Sequence, residues 1–367
     1  MSMNSLGISK KISETRVLVA MSGGVDSSVV AAMLANEGYQ VLGVTLQLYN
    51  NNSEISKKKS CCAGQDIYDA KRVAEFIGIR HYVFDYESKF TNSVIEPFIN
   101  SYTKGHTPIP CVMCNQGVKF SNLLETAQQL GVDAMATGHY IRRISKNGLV
   151  GLYRAHDKSK DQSYFLFATT KKQLEFLRFP LGDLSKSEVR SLSAEYGLIV
   201  SDKPESQDIC FVPGGDYTKI IKQKISTNSG NIVDLKGNIL GKHEGIINFT
   251  IGQRRGLYIN SKDPLYVVKL NKEKSEVVVG PKEALKVSLI HLNNINWLCE
   301  SPDYFLDKKI QVKVRSTHNP VSATIKSNNK KLNILLDNPE VGVSPGQACV
   351  FYDKDKILGG GWISKAE

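Results

Sequence analysis

Residues 16–28, RVLVAMSGGVDSS, constrain the fold more than any other stretch of this chain. Val17-Leu18-Val19-Ala20 is a short apolar run with β-branched residues, the length of one buried parallel strand. Ser22-Gly23-Gly24-Val25-Asp26-Ser27-Ser28 then turns the chain, and VVAAMLANEG predicts a helix ending near Gly38. Two glycines between strand and helix let backbone N–H groups approach an anion closely. Ser22, Ser27 and Ser28 add hydroxyl donors, and the helix N-terminus adds positive potential. Such a turn suits phosphate; the plainer alternative is a Ser/Gly-rich turn before an ordinary helix.

What the turn lacks narrows the choice. A P-loop ends in Gly-Lys-Ser/Thr, and this turn has no lysine. A dinucleotide fingerprint needs G-x-G-x-x-G, and only Gly23-Gly24 is present. SGGVDSS instead resembles the PP-loop of the ATP pyrophosphatases. That resemblance implies cleavage of ATP between its α and β phosphates and adenylation of a carbonyl oxygen.

At 367 residues the chain is long enough for two or three domains. Its 41% hydrophobic and 23% charged residues fit a globular protein. No apolar run approaches a membrane span, and MSMNSLGISKKISETR has no secretory apolar core, so a cytoplasmic location is expected. The net charge of +11 suggests a polyanionic partner. Between Tyr140 and Arg190, 11 Lys/Arg stand against 5 Asp/Glu, so this segment carries +6 of the total. Charge alone leaves nucleic acid and a merely solvated basic face equally open.

Alternating patterns run from Arg16 to about Pro213. Strands are expected at 41–48, 81–86 and 134–139, and helices at 67–78, 119–131 and 186–198, the last capped by Ser185 or Ser187. This βαβ alternation predicts an α/β domain with a parallel sheet over residues 1–213. A small central α+β domain is expected over 214–285, with a helix to about Ile225 and then a strand, a Lys-Gly-Asn turn and a strand. Residues 286–367 read as closely spaced strands of a small sandwich or barrel, taken as a C-terminal β-barrel, with no helical run of ten or more.

The seven cysteines are Cys61, Cys62, Cys111, Cys114, Cys210, Cys299 and Cys349, an odd number that favours thiol chemistry or metal over a disulfide scaffold. Cys299 and Cys349 sit in apolar context and read as buried core thiols. Cys61-Cys62 do not match zinc spacing, and their role stays open. In GHTPIPCVMCN, residues 105–115, two prolines are expected to hold the chain extended until Cys114 opens a helix. A thiol in a first helical turn would be biased toward thiolate. Cys111-x-x-Cys114 alone would also suit zinc or a redox dithiol. Cys210, between Ile209 and Phe211 and followed by Pro213-Gly214-Gly215, reads either as a core residue or as a thiol on a mobile loop.

The motifs SGGVDSS, TPIPCVMCNQGVKF, ATGHY, DKSKDQSYFL, SQDICFV, PGQACVFY and LGGGW occur in this order from Arg16 to Trp362. In that order they resemble the bacterial tRNA-specific 2-thiouridylases across nearly the whole chain. The resemblance implies replacement of the C2 oxygen of the wobble uridine (U34) by sulfur, in tRNAs for Lys, Glu and Gln. It makes Cys114 the nucleophile, Cys210 the persulfide carrier, and the two a transient disulfide. ATP with Mg²⁺ would lie over Ala20, Met21, Ser22, Gly23, Gly24, Val25, Asp26 and Ser27, with Leu46 and Gly138 lining the nucleotide. Asp26 would hold Mg²⁺ and the leaving pyrophosphate, and it also suits a helix-capping acid. No structural metal is implied.

The same resemblance places Tyr140, Arg142, Arg143, Lys160, Asp161 and Gln162 against tRNA, and gives the +6 segment a purpose. His139 would contact tRNA near the target base, although a histidine after a strand is as often structural. Arg315, Ser316 and Gln347 of the β domain would also meet tRNA, and Ile109-Pro110-Cys111 would frame the extruded base. Sulfur would come from a relay protein or a cysteine desulfurase. Cys111 stands where the family pattern carries Asp or another non-cysteine residue. Two rival functions are a PP-loop amidotransferase or ligase insensitive to thiol alkylation, and a tRNA-binding protein with a relic ATP site.

Overall fold

The computed structural model describes residues 3–49, 63–205, 209–225, 227–328 and 331–367. Cys61, Cys62 and the Ser206-Gln207-Asp208 part of the SQDICFV motif lie outside the described residues. The chain divides into two compact units. One comprises 1–94, 111–215 and 355–357, the other 95–110, 216–354 and 358–367.

The first unit is built on a parallel sheet. Strands β1 (Arg16–Ala20), β2 (Gln40–Gln47), β3 (Arg80–Asp85), β4 (Ala134–Thr137), β5 (Ile141–Lys146), β6 (Leu149–Arg154) and β7 (Leu177–Arg178) follow in chain order. The sheet runs β3-β2-β1-β4-β7, and every pairing in it is parallel. Sequential βαβ crossovers leave β1 central, so Val17, Leu18 and Val19 are fully buried. Helix α1 (Val25–Asn36) is apolar on all sides and accordingly buried, with Val29, Val30 and Ala31 sealed. Gly38, at φ +93, ends it as the sequence predicts.

Helix α2 (Ala63–Phe76) spans most of the expected helix and extends it toward the N-terminus. The chain then runs helically from Glu87 to Thr103 as α3 (Glu87–Phe90), a π-helical turn (Thr91–Ile95) and α4 (Glu96–Thr103), none of it anticipated. Further on, α5 (Pro110–Met113), a π-helix (Cys114–Asn122) and α6 (Leu123–Gln129) form one continuous helical run. Helices α7 (Lys171–Phe176) and α8 (Lys186–Glu195) each start in a capping box, Thr170 with Gln173 and Ser185 with Glu188. Strands β5 and β6 form a hairpin through Asn147-Gly148, both left-handed at φ 53 and 77. Asn-Gly between alternating residues is a hairpin signal that the charge pattern of this stretch had masked.

The second unit holds α9 (Tyr217–Lys224), N-capped by Asp216. It also holds a mixed four-stranded sheet of β8 (Gly230–Val233), β9 (Ile239–His243), β10 (Tyr266–Asn271) and β11 (Glu276–Gly280), ordered β10-β11-β8-β9. Val267, Val277 and Val279 are fully buried in its core beside Ile232 and Phe249. Tyr102 of α4 stacks on Tyr217 at 4.3 Å, which ties the 95–110 segment into this unit.

Strands β12 (Lys286–Trp297), β13 (Lys309–Lys313), β14 (Val321–Asn328), β15 (Lys331–Val341), β16 (Ala348–Asp353) and β17 (Lys356–Ala366) then close a barrel in the order β12-β15-β14-β13-β16-β17. Pairing of β12 with β17 closes the ring and removes the sheet edges. Cys299 and Cys349 lie in its core, as expected, and burial alone pushes the Cys349 thiol far up. The fold is thus a parallel-sheet domain, a small central domain and a C-terminal β-barrel.

Candidate active site

The glycine turn between β1 and α1 is held from below. Met21 N–H donates to Val44, and the Met21 carbonyl accepts from the Thr45 hydroxyl at 2.8 Å. Ser27 Oγ accepts from Ser22 N–H at 3.0 Å, and Ser28 Oγ donates to the Gly24 carbonyl. Gly23 sits at φ +74, and a Cβ there would run into the Asp66 carbonyl. The first-turn N–H groups of α1 have no helical acceptor. They face the turn with the dipole's positive end, an arrangement that receives phosphate. Gly138, just after β4, packs so close that a Cβ would lie 2.9 Å from Ser27 N, which sets the sequence-expected Gly138 against the phosphate loop. Leu46 is half-buried near the end of β2.

Charges converge on this turn from distant sequence. Lys186 Nζ donates to Asp26 Oδ1 at 2.6 Å, and the Tyr140 hydroxyl donates to the same oxygen at 2.8 Å. Burial and the adjacent Asp26 carboxylate hold the Tyr140 phenol well above its ordinary value, so it remains a donor. Lys186, only 12% exposed, also lies 3.6 Å from Glu205, which pairs with Lys160 at 2.7 Å. The hydrogen bond from Lys160, with Lys186 close by, keeps the Glu205 carboxyl below its usual range. Lys203 Nζ donates to the Gly23 carbonyl at 3.0 Å, to Asp66 at 2.7 Å and to Asp69 at 2.5 Å. Burial alone would lower the Lys203 ammonium, but its bonds to Asp66 and Asp69 outweigh that and raise it.

The thiols correct one expectation. Pro110 occupies the first position of the helix, where its missing N–H costs nothing, so a full turn precedes Cys114. Cys114 is therefore buried one turn in, away from the dipole's positive end. Burial pushes its thiol up, with Lys119 pulling the other way and Cys111 adding to the rise. Cys111 is raised by burial as well, again against Lys119. Cys210 is exposed and so is no core residue. Its crowded surroundings first, and the nearby Cys114 next, push it up to about 12, opposed by Lys119. Lys119 is thus the shared cation of all three thiols. It also acts on His139, whose burial takes its pKa down to about 3, leaving the ring neutral. The His139 ring nitrogen Nδ1 shares a hydrogen bond with Thr137 at 2.8 Å, and the ring packs on Phe120 and Phe179.

The other expected contacts divide. Asp161 has a fully buried side chain that accepts from Arg154 at 3.3 Å and from Ser163 at 2.7 Å, so it shapes its own loop. Gln162 Oε1 accepts from Tyr140 N–H at 2.8 Å. Arg142 pairs with Asp355, and the Arg143 guanidinium donates to the Leu174 carbonyl. In the second unit, Gln347 Nε2 donates to the Thr107 carbonyl at 2.9 Å, which brings it to the segment carrying Ile109-Pro110. Arg315 donates to the Gly342 carbonyl, and Ser316 beside it is half-buried. No group of three or more potential metal ligands occurs among the described residues. Nor does any described helix have the length and apolarity to cross a membrane.

Comparison with known proteins resolves the family. A model described as "tRNA methyl transferase HUP domain" matches residues 15–214, more than half the chain. Models described as "tRNA methyl transferase PRC-barrel domain" and "Aminomethyltransferase beta-barrel domain" match 218–281 and 287–363. The tRNA-specific 2-thiouridylase MnmA of Zymomonas mobilis is 54% identical over 98% of this chain and 95% of its own length. Its counterparts in Paracoccus denitrificans and Maricaulis maris are each 56% identical over 98% of this chain, covering 94% and 90% of their lengths. The chain belongs to the tRNA-specific 2-thiouridylase family. The methyl transferase wording belongs to the domain descriptions, whereas the near-full-length relatives are thiouridylases. Three thiols that all feel the charge of Lys119 accord with the thiouridylase reading.

Lys186, Tyr140, Glu205, Lys203 and Lys119 are the site residues that motif reading of a thiouridylase underweighted. Lys186 lies 160 positions from Asp26, and Lys203 lies 180 from Gly23, so no spacing rule links them. The raised thiols carry a prediction. Alkylation of Cys210 by iodoacetamide should keep accelerating from about pH 7 to 10, because thiolate is the reactive form. A plateau below about pH 8 would show an activated thiol and contradict the burial effect. Lys119→Gln should slow alkylation at neutral pH by about tenfold for each unit its removal adds.

Proposed function

We propose that this chain is an ATP-dependent tRNA-uridine 2-sulfurtransferase acting on C2 of U34, in the cytosol, on tRNAs for Lys, Glu and Gln. The observation that carries this reading is 54–56% identity to tRNA-specific 2-thiouridylases over 98% of this chain, and the mutual influence of Cys111, Cys114 and Cys210 supports it. Next to His139 stands Gly138, packed on the backbone of Asp26-Ser27. This adjacency supports reading the phosphate loop and the thiols as one site. We further assign residues 1–213, 214–285 and 286–367 to catalytic, central and tRNA-contacting domains.

The C2 oxygen is a poor leaving group until it is phosphorylated. In this reading it attacks the α-phosphorus of ATP, held over Ala20–Ser27 with Leu46 and Gly138 against the nucleotide, and pyrophosphate leaves. Lys186 lies beside Asp26, where negative charge is expelled. Asp26, whose Oδ1 receives Lys186 and Tyr140, would be the residue to hold Mg²⁺, which would offset the charge of the departing pyrophosphate. The terminal sulfur of a Cys210 persulfide, delivered by a relay protein or a cysteine desulfurase, then attacks C2, and AMP departs. Cys114 attacks the Cys210 sulfur, the S–S bond to the base breaks, and the base keeps its sulfur as the thione. A Cys114–Cys210 disulfide remains for reduction. The opposite order, in which Cys114 first frees hydrosulfide, uses the same pair. Ile109, Pro110, Cys111, His139, Lys160, Gln162, Arg315, Ser316 and Gln347 are assigned to holding the tRNA and its extruded base, with Asp161 shaping the loop that presents its neighbours.

Purified protein with ATP, Mg²⁺, a persulfide donor and unmodified tRNA bearing U34 tests the reading by nucleoside mass spectrometry. Appearance of 2-thiouridine supports it. AMP without a thiolated base would leave the ATP reaction standing and move the acceptor elsewhere. Cys111→Ser should retain activity within about threefold of the parent, since Cys111 has no assigned bond to make or break. An inactive Cys111→Ser protein that still folds would remove Cys114 as sole nucleophile.

A further inference from the structure

The loop from Gly252 to Leu265 in the second unit carries a feature that no assigned site uses. Tyr258 is 98% exposed and stands at φ 50, a left-handed backbone that a side-chain-bearing residue adopts only at a cost. Its neighbours explain why it stays out. Leu257 is buried in the core with Val267 and Val279, and Ile259 packs on Gly241. With both flanking residues anchored inward, the tyrosine ring is held in solvent. The base of the loop is equally fixed. Gly252 N–H donates to the Val267 carbonyl at 2.8 Å and Val267 N–H to the Gln253 carbonyl at 2.9 Å. Gln253 then braces Thr250 N–H and the Arg255 carbonyl through its side chain.

On this rigid base, Arg254 and Arg255 are both exposed and form no ion pair among the described residues. Lys262 adds a third exposed cation, against the single carboxylate of Asp263. An open cleft of about 240 Å³ runs between Arg254, Tyr258, Ile259 and Pro264. A strained, fully exposed aromatic contributes nothing to folding. A presented ring that shares a cleft with Arg254, with exposed Arg255 next in the chain, suits an unstacked base whose phosphates are held by arginines.

We propose that Arg254, Arg255 and Tyr258 form an additional RNA-binding site, which stacks an unpaired nucleotide of the tRNA and grips the adjoining phosphates. The proposal rests on the tRNA function proposed above and adds a contact remote in sequence from every residue assigned there.

The test is the affinity of the full-length protein for unmodified U34 tRNA transcript across a salt series. Arg254→Ala with Arg255→Ala should reduce the slope of log affinity against log salt by about 1.5. Tyr258→Ala should weaken binding by about 5- to 100-fold, and Tyr258→Phe should bind like the parent. Tyr258→Gly is the second control. It relieves the left-handed strain, so its melting temperature should stay level or rise while its affinity falls. Unchanged affinity and salt slope in the arginine and alanine variants, with the parent binding normally, would overturn this site and leave the enzyme function standing. Unchanged tRNA binding with slower sulfur uptake from a donor protein would also overturn it and assign the loop to that protein. A parent protein that fails to bind U34 tRNA would instead overturn the underlying function.

Discussion

Cys210→Ser is expected to lower 2-thiouridine formation on the order of 10³-fold or more, the scale on which loss of a nucleophile acts. The same variant should keep cleaving ATP to AMP and pyrophosphate when U34 tRNA is present, because no thiol is needed to activate the C2 oxygen. Cys114→Ser should lose product to a similar extent but differ in what accumulates. With Cys210 intact it can still load a persulfide, and trypsin digestion with mass spectrometry should find that extra sulfur on the Cys210 peptide. Loss of both half-reactions in Cys210→Ser would mean that the thiol shapes the ATP site rather than carrying sulfur. Full retention of thiolation in either variant would remove the two-cysteine mechanism altogether.

Gly23→Ala carries the second large effect. A Cβ at Gly23 meets the Asp66 backbone carbonyl, and the residue sits at φ +74. The left-handed conformation costs about 1–2 kcal/mol for alanine, and relief of the clash by a backbone shift costs about 1–3 kcal/mol more. The shift would also pull the Gly23 carbonyl from Lys203, which it meets at 3.0 Å. A phosphate cradle displaced by about 1 Å loses on the order of 10²-fold in rate, so tRNA-dependent AMP formation should fall at least that far. Gly24→Ala is the stability control. Gly24 is extended at φ −92 and ψ 168, and the nearest atom to its Cβ would be Ser22 Oγ at 3.6 Å. Its melting temperature should match the parent. Equal stability and equal AMP formation in Gly23→Ala would show that the turn does not need glycine there.

The parts of this molecule that could be read from the chain are those whose signal is local. SGGVDSS sits between a strand and a helix because a β-branched run and an alanine-rich run flank it, and the structure places β1 and α1 there. The closely spaced β-rich runs after Lys286 are local as well, and they become barrel strands β12 to β17. What escaped depends on three dimensions. Pro108 and Pro110 argue for an extended chain, yet proline at a first helical position has no hydrogen bond to lose, so the helix starts before Cys114. The direction of the Cys114 shift then followed from burial, which sequence position does not reveal. Lys186 reaches Asp26 only because α8 packs beside α1 in the folded sheet domain. Asp161 resembles an RNA contact by motif, and only its fully buried side chain shows how much of it Arg154 occupies.

The membership of Asp355–Ile357 in the first unit bears on synthesis. Lys356 pairs with Tyr153 of β6, Arg154 N–H donates to the Asp355 carbonyl, and the Asp355 carboxylate receives Arg142 and Lys158. These partners emerge from the ribosome some two hundred residues before Asp355 does. The β5–β6 hairpin and Lys158 therefore lack these partners until residue 355 has been synthesised. A chain truncated before Asp355 would lose this clasp from the first unit as well as barrel strand β17, so residues from 355 onward act as a checkpoint on a hairpin made some two hundred residues earlier.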